Sequence, residues 1–380
     1  MQGVAISAAE LAPLRAVAAA PELSVIVPTF NEAANVPRLV VMLSAALTGI
    51  RWEVIFVDDD STDGTSAVVR DLAARDPRVR GIQRIDRRGL SSACIEGALS
   101  SAAPFIAVMD GDLQHDETLL PTMLERLRGG DFDIAVGSRY VPGGGTVGWQ
   151  AERQSMSNLA TRLSRTVISA DLNDPMSGFF MIRRDAFMAS VRNLSALGFK
   201  LLLDLFISSP QPLRFVELPY RFRNREAGES KLDTGVMWDY AMLLLDKAFG
   251  RWVPVRFLSF SLIGSVGLLL HLLVLTIGLQ VAGLPFQWSQ GIATLVAMTA
   301  NFFLNNTLTY RDRRLKGWRI ATGLASFYLA CSVGVAANVG VADFIFEHQY
   351  RWWLAGIAGV VISAVWNYAA TALFTWRRKA

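Results

Sequence analysis

Cysteine is scarce. The chain carries two, Cys94 and Cys331, far apart and one in each half. That excludes a disulfide framework and a cysteine-built zinc site. Histidine is as scarce: His115, His271 and His348 share no metal-ligand spacing. The first twenty residues lack a basic cluster, and Glu10 and Arg15 break their apolar run. A cleaved signal peptide is therefore not expected, and residues 1–20 read as a flexible lead-in.

Charge is also in short supply, 18% of residues against 52% hydrophobic. The shortage is local. Up to about Tyr240 charges are spread throughout; beyond Arg256 long apolar runs take over. One ordinary domain followed by a membrane part is the natural division. A net charge of +4 would suit nucleic acid. Many of the basic residues flank apolar runs, however, where they orient membrane segments. No nucleic-acid partner is expected.

What the first part does have is acid at strand ends. The apolar run at 105–109 reads as a buried strand and ends in Asp110-Gly111-Asp112-Leu113-Gln114-His115. Alone, this fits either a solvated turn or a site for a hard divalent cation. A second acidic strand end changes the balance: a strand at 52–57 runs into Asp58-Asp59-Asp60-Ser61-Thr62-Asp63-Gly64-Thr65. Ligands of open α/β sheets bind outside the carboxyl ends of the strands, so two such loops make a cleft. Asp59 reads as functional, Asp63 and Thr65 as turn and cap of the next helix. Upstream, a strand at 23–27 stops at Pro28, and Thr29-Phe30-Asn31-Glu32 leads into a helix. Downstream, Arg87-Arg88-Gly89 either approaches a phosphate or simply turns, and a strand over 134–140 ends in Arg139. Alternating strands and helices predict an α/β domain with a mostly parallel sheet.

These blocks, with Gly137-Ser138-Arg139-Tyr140, Asp174-Pro175-Met176-Ser177-Gly178-Phe179-Phe180, Gly198-Phe199-Lys200 and the loop bearing Arg225, Gly228, Ser230 and Lys231, resemble the family-2 glycosyltransferases of the GT-A fold. Within that family they resemble the dolichyl-phosphate (polyprenyl-phosphate) mannose synthases. The resemblance implies a Rossmann-like GT-A catalytic domain over 21–231. It implies a metal, Mg²⁺ or Mn²⁺, on Asp112 and Gln114, with Asp110 beside them. It lines the nucleotide-sugar site with Pro28, Phe30, Glu32, Val57, Asp59, Asp110, Gly111, Lys200, Arg225 and Lys231. Many members carry tyrosine where this chain has Phe30, which removes one hydroxyl contact. Arg139, Arg153 and Ser157 would hold the acceptor phosphate; Asp110, Asp112, Arg139 and Arg225 would be catalytic. A phosphate monoester has its second pKa near about 6 and is already anionic at neutral pH, so it needs cations rather than a base. Asp204 is accordingly read as an i,i+4 partner of Lys200. Direct displacement would invert the anomeric centre. GDP-mannose is the expected donor and UDP-glucose the alternative.

The acceptor's lipid tail accounts for the rest. Stretches at 155–170 and 236–249 pattern as interfacial helices or as helices packed on the core; 232–256 reads as interface helix and linker. Four spans are expected, at 257–279, 290–310, 320–346 and 352–376. The basic loop 311–316 and the Arg377-Arg378-Lys379 tail put the catalytic domain and the C-terminus in the cytoplasm of a multi-pass membrane protein. Asn301-Phe302-Phe303 with Asn305 and Asn306 makes 257–380 resemble the GtrA-like all-α membrane family. Asn301 and Asn305 share a helix face suited to interhelical hydrogen bonds. A transporter or docking protein for lipid-linked sugars is the rival reading. A homo-oligomer is left open.

Overall fold

The computed structural model describes residues 20–87, 89–146, 170–195, 200–223, 238, 241–246, 253–347 and 352–376. The lead-in, nearly all of 155–170 and much of 236–249 lie outside them. Two compact units result, Met1–Leu244 and Leu245–Ala380.

In the first unit β1 (Leu23–Thr29), β2 (Trp52–Asp58), β3 (Val79–Gln83), β4 (Phe105–Val108), β5 (Ile134–Ser138), β7 (Phe180–Arg183) and β8 (Phe215–Pro219) form one sheet in the order β3-β2-β1-β4-β7-β5-β8. β6 (Gly145–Thr146) and β9 (Arg221–Phe222) form a separate small pair. Strands rich in Val, Ile and Phe with both faces buried are what a parallel sheet covered by helices requires. Val25, Val27, Val54 and Phe56 enter one apolar cluster; Ile26, Ile55, Val57, Ile106 and Val108 enter another. Helices α1 (Val36–Ala46), α2 (Thr65–Arg75) and α4 (Leu120–Arg128) supply the first cluster. α3 (Leu90–Ser100), α5 (Arg184–Ser190) and α6 (Leu201–Ser208) supply the second.

One strand matters for the site: β7, after Asp174-Pro175, enters antiparallel between β4 and β5. It carries the 174–179 turn to the ends of those two strands. Leu243, in the stretch read as interface helix, packs on Met176 and Leu203 of this unit.

The second unit contains α7 (Val255–Thr276), α8 (Phe286–Leu304), α9 (Arg319–Glu347) and α10 (Trp352–Ala370), over the four expected ranges. Among the described residues one helix, Val255–Val281, is long and apolar enough by length and composition to cross a membrane. Phe260, Phe302, Tyr310, Phe327 and Trp376 form the unit's aromatic core. The interhelical hydrogen bonding expected of Asn301 and Asn305 falls to their neighbour. Asn305 donates to the Asn301 carbonyl of its own helix. Asn306 instead accepts from Trp376 Nε1 at 3.1 Å and from the Leu315 amide, and donates to the Leu315 carbonyl.

Candidate active site

The strand order reverses between β1 and β4, and a ligand crevice forms at such a reversal. The β4 turn flanks it directly, and the β2 loop lies one strand away, beyond β1. The β4 turn comes close to β1: a Cβ on Gly111 would lie 3.3 Å from Thr29 Cγ2 and from Val27 Cγ1. Leu113 has φ +63°, which completes a sharp reversal. Gly111→Ala is expected to push the turn off β1, costing about 1 kcal/mol of stability and raising donor KM several-fold. Steady-state kinetics and a melting curve check this, and unchanged values would refute the tight approach.

Within the turn the Asp112 carboxylate accepts the Gln114 amide N–H at 3.2 Å. Gln114 donates its side-chain nitrogen to the Arg223 carbonyl at 2.9 Å, which leaves ligation to its Oε1. Arg223 also pairs with Asp116 and Glu117, both at 2.9 Å, and so ties the turn to β9. The Asp110 N–H donates to His115 Nδ1 at 3.0 Å. The imidazole proton therefore sits on Nε2, 3.7 Å from Asp110 Oδ2. Burial lowers the His115 pKa against the pull of Asp110 and Asp112, so the ring is neutral. It stacks on Phe179 and meets Tyr220 and Phe222 edge-on. The sequence reading assigned His115 no role; here it holds the backbone of Asp110.

The acids of the β2 loop have different partners. Asp63 accepts from Thr65 N–H and Oγ1 and from the Ala33 amide, which caps α2 and ties it to the 29–33 turn. Asp58 accepts from Ser61 and Ser66. Asp59 faces the other way: Oδ1 accepts from Arg84 Nη1 at 2.8 Å and Oδ2 from the Gly89 amide at 2.7 Å. Burial raises the Asp59 pKa, opposed by those two donors. Pro28 and Phe30 are half-buried beside it, and Glu32 accepts from Asn35 Nδ2 at 2.6 Å. Val57 is corrected: its side chain is fully buried in the core under α3, because alternate residues of a doubly covered strand face helices rather than the cleft.

Arg139 is more constrained than a surface base. Its Nε and Nη2 each lie 2.7 Å from the Asp174 carboxylate, and Asp174 is fully buried. Burial opposes its charge, but the Asp174 fork outweighs this and raises its pKa. Glu217 on β8 accepts the Asn173 and Asp174 amides and fixes the pair. Lys200 donates to the Met176 carbonyl at 2.9 Å. Asp204 is buried and accepts from the Ser195 amide and the Ser208 hydroxyl, a structural role that leaves the carboxylate unsuited to general base work. Arg153, Ser157, Arg225 and Lys231 lie outside the described residues.

An acidic turn at the switch point of a Rossmann-like sheet, in a chain continuing into a long apolar helix, defines a GT-A type transferase joined to a membrane domain. Comparison with known proteins narrows this. Residues 24–190 match Glycosyl transferase family 2 and residues 259–376 match the GtrA/DPMS transmembrane domain. The dolichol-phosphate mannosyltransferase of Pyrococcus furiosus is 31% identical over 357 residues, covering 93% of this chain and 99% of that one. That of Mycosarcoma maydis is 37% identical over 253 residues, covering 64% and 85%. A solved glucosyl-3-phosphoglycerate synthase from Mycobacterium tuberculosis superposes with a TM-score of 0.46 at 16% identity, covering 64% of this chain and 85% of that one. The chain belongs to glycosyl transferase family 2 and, within it, to the dolichol-phosphate mannosyltransferases carrying a GtrA/DPMS transmembrane domain.

Proposed function

We propose that this protein moves mannose from GDP-mannose onto a dolichyl or polyprenyl phosphate, with inversion, at the cytoplasmic face of a membrane. One observation carries the reading: an acidic switch point in a chain that pairs over nearly its whole length, membrane domain included, with an archaeal dolichol-phosphate mannosyltransferase. Residues 21–231 act as the catalytic domain, 232–256 as linker and interface helix, and 257–380 as four spanning helices. An even number of crossings leaves the catalytic domain and the basic tail on the same side.

The donor set suits Mg²⁺ or Mn²⁺. Among the described residues no group of three His, Cys, Asp or Glu side chains converges. A carboxylate and a carboxamide alone fit an ion that keeps waters and substrate oxygens. Asp112 and Gln114 would hold it, and when bound it neutralises charge developing on the diphosphate leaving group. Asp110 borders the donor sugar, its backbone fixed by His115. Asp59, Phe30, Glu32 and Pro28 line the nucleoside side, with Gly111 letting the turn close on it. Arg139 offers a cation of fixed position, and Arg153 and Ser157 join it at the acceptor phosphate. Lys200, Arg225 and Lys231 act on the diphosphate side. The acceptor dianion attacks without a protein base, which agrees with the occupied carboxylate of Asp204.

EDTA treatment is expected to abolish mannosyl-lipid formation, and Mn²⁺ or Mg²⁺ to restore it. Undiminished turnover after chelation would remove Asp112 and Gln114 from the ligand role.

A further inference from the structure

Arg84 sits at the end of β3 with its side chain 2% exposed. Nη1 donates to Asp59 Oδ1 at 2.8 Å and to the Gly89 carbonyl at 3.1 Å; Nη2 donates to Ser92 Oγ at 2.6 Å. One guanidinium thus joins the β2 acid, the turn before α3 and the first turn of α3. Gly89 has φ +147°, a conformation open to glycine and disfavoured for other residues. Its N–H closes the circuit onto Asp59 Oδ2. We infer that Arg84 is a positioning residue for the donor nucleobase, holding Asp59 and the Gly89 turn in the geometry that meets the base N–H groups. This rests on the reading of Asp59 as a nucleotide contact.

The test is GDP binding by calorimetry, with GDP-mannose kinetics beside it, on Arg84→Met, Arg84→Lys and Asp59→Asn. Arg84→Met is expected to weaken GDP and raise donor KM by about 10- to 100-fold, the scale of a missing buried charged hydrogen bond, with kcat within a few-fold. Arg84→Lys recovers part of the loss, because its ammonium reaches fewer partners than the guanidinium, which meets Asp59, Gly89, Ser92 and, at 3.5 Å, Glu96. In the Asp59→Asn background Arg84→Met costs much less than it does in the parent. Unchanged GDP affinity in both Arg84 variants, or losses that add in full to that of Asp59→Asn, would overturn the inference. Wild-type protein that fails to bind GDP would instead overturn the functional reading.

A second inference comes from the other unit and needs no functional premise. Residues 259–267, Ser-Phe-Ser-Leu-Ile-Gly-Ser-Val-Gly, return at 326–334 as Ser-Phe-Tyr-Leu-Ala-Cys-Ser-Val-Gly. Asn301 stands eight residues before Thr309 and an aromatic residue, Tyr310; Asn367 stands eight before Thr375 and Trp376. The contacts repeat too. Ser259 bonds Thr309 and Ser326 bonds Thr375, both at 2.6 Å. Gly267 is pressed by Asn301 Oδ1, and Gly334 by Asn367 Oδ1. Phe260 meets Tyr368 at 5.8 Å, and its counterpart Phe327 meets Phe302 at 5.7 Å. Tyr310 and Trp376, equivalent to each other, stack at 4.2 Å, as residues beside a two-fold axis do.

The geometry points to a tandem duplication: α7–α8 and α9–α10 are two copies of one helical hairpin related by a pseudo-two-fold axis. Both serine–threonine bonds pair the start of a hairpin with its end. Tyr310 and Trp376 each follow the end of a hairpin, and their stacking brings the two ends together; the repeat is therefore parallel, its axis along the membrane normal, and all four of those termini share one face. The copies differ where large and small exchange: Ile263 and Ala300 in the first, Ala330 and Trp366 in the second. Ala330→Ile should lower the full chain's melting temperature, and adding Trp366→Ala should restore it. A double variant no better than Ala330→Ile alone would contradict the equivalence. Disulfide trapping gives a second readout. With the native cysteines replaced, cysteine pairs at 259/309 and at 326/375 should both cross-link; trapping of only one pair would also contradict it.

Discussion

Asp112→Ala is expected to lower mannosyl-lipid formation by about a thousandfold, the loss of roughly 4 kcal/mol of transition-state stabilisation. The carboxylate bonds within its own loop, to the Gln114 amide. Its neighbours in the turn are fixed by other groups: Asp110 by His115 and Gln114 by Arg223. The melting curve should therefore stay close to that of the parent. Gln114→Glu is a useful companion, since it keeps an oxygen ligand but removes the donor that holds the Arg223 carbonyl. Turnover by Asp112→Ala within tenfold of the parent would place the ion, or the need for one, elsewhere.

Asp174→Ala is expected to destabilise the first unit by about 3–5 kcal/mol, the range for stranding one partner of a buried ion pair. Arg139 would stay buried while the carboxylate that accepts its backbone, Nε and Nη2 N–H groups is removed. The Glu217 carboxylate would still hold the backbone, so the damage is electrostatic before it is conformational. Pairing Asp174→Leu with Arg139→Met should recover much of the stability, because apolar replacements of a buried pair are often neutral. It should not recover transfer if Arg139 is the cation proposed for the acceptor phosphate. Thermal melts in detergent and product yield read the two effects separately. A double variant that is stable and active would leave Arg139 as scaffold only.

Much of this was legible in the chain. The Asp-Gly-Asp and Asp-Asp-Asp loops announce themselves because acid at the end of an apolar run is unusual, and the sheet puts the first at the switch point and the second one strand away. Period and length gave the four C-terminal helices for the same reason: long uncharged runs have few other folds. What stayed hidden depends on packing between distant residues. Val57 looks like a pocket residue by position along the chain, and only the packing of α3 shows that its side chain is core. Arg139 is singled out by its motif, but its partner is not: Asp174, 35 residues on, is brought to it by β7. Arg84 carries no local signal, since a lone arginine at a strand end is usually solvated. The hairpin repeat was legible in principle, but six identities in nine positions gain weight only when the same hydrogen bonds recur.

A donor panel tests the central claim most directly. The purified full chain would be incubated with Mn²⁺, a polyprenyl phosphate, and GDP-mannose, UDP-glucose or UDP-N-acetylglucosamine in turn, with the lipid product weighed by mass spectrometry. Mannosyl lipid from GDP-mannose, and little from the uridine donors, is the predicted result. Glucosyl lipid instead would keep the mechanism and replace the donor. No lipid product from any of the three would contradict the transferase account and favour a transport or docking role for lipid-linked sugars.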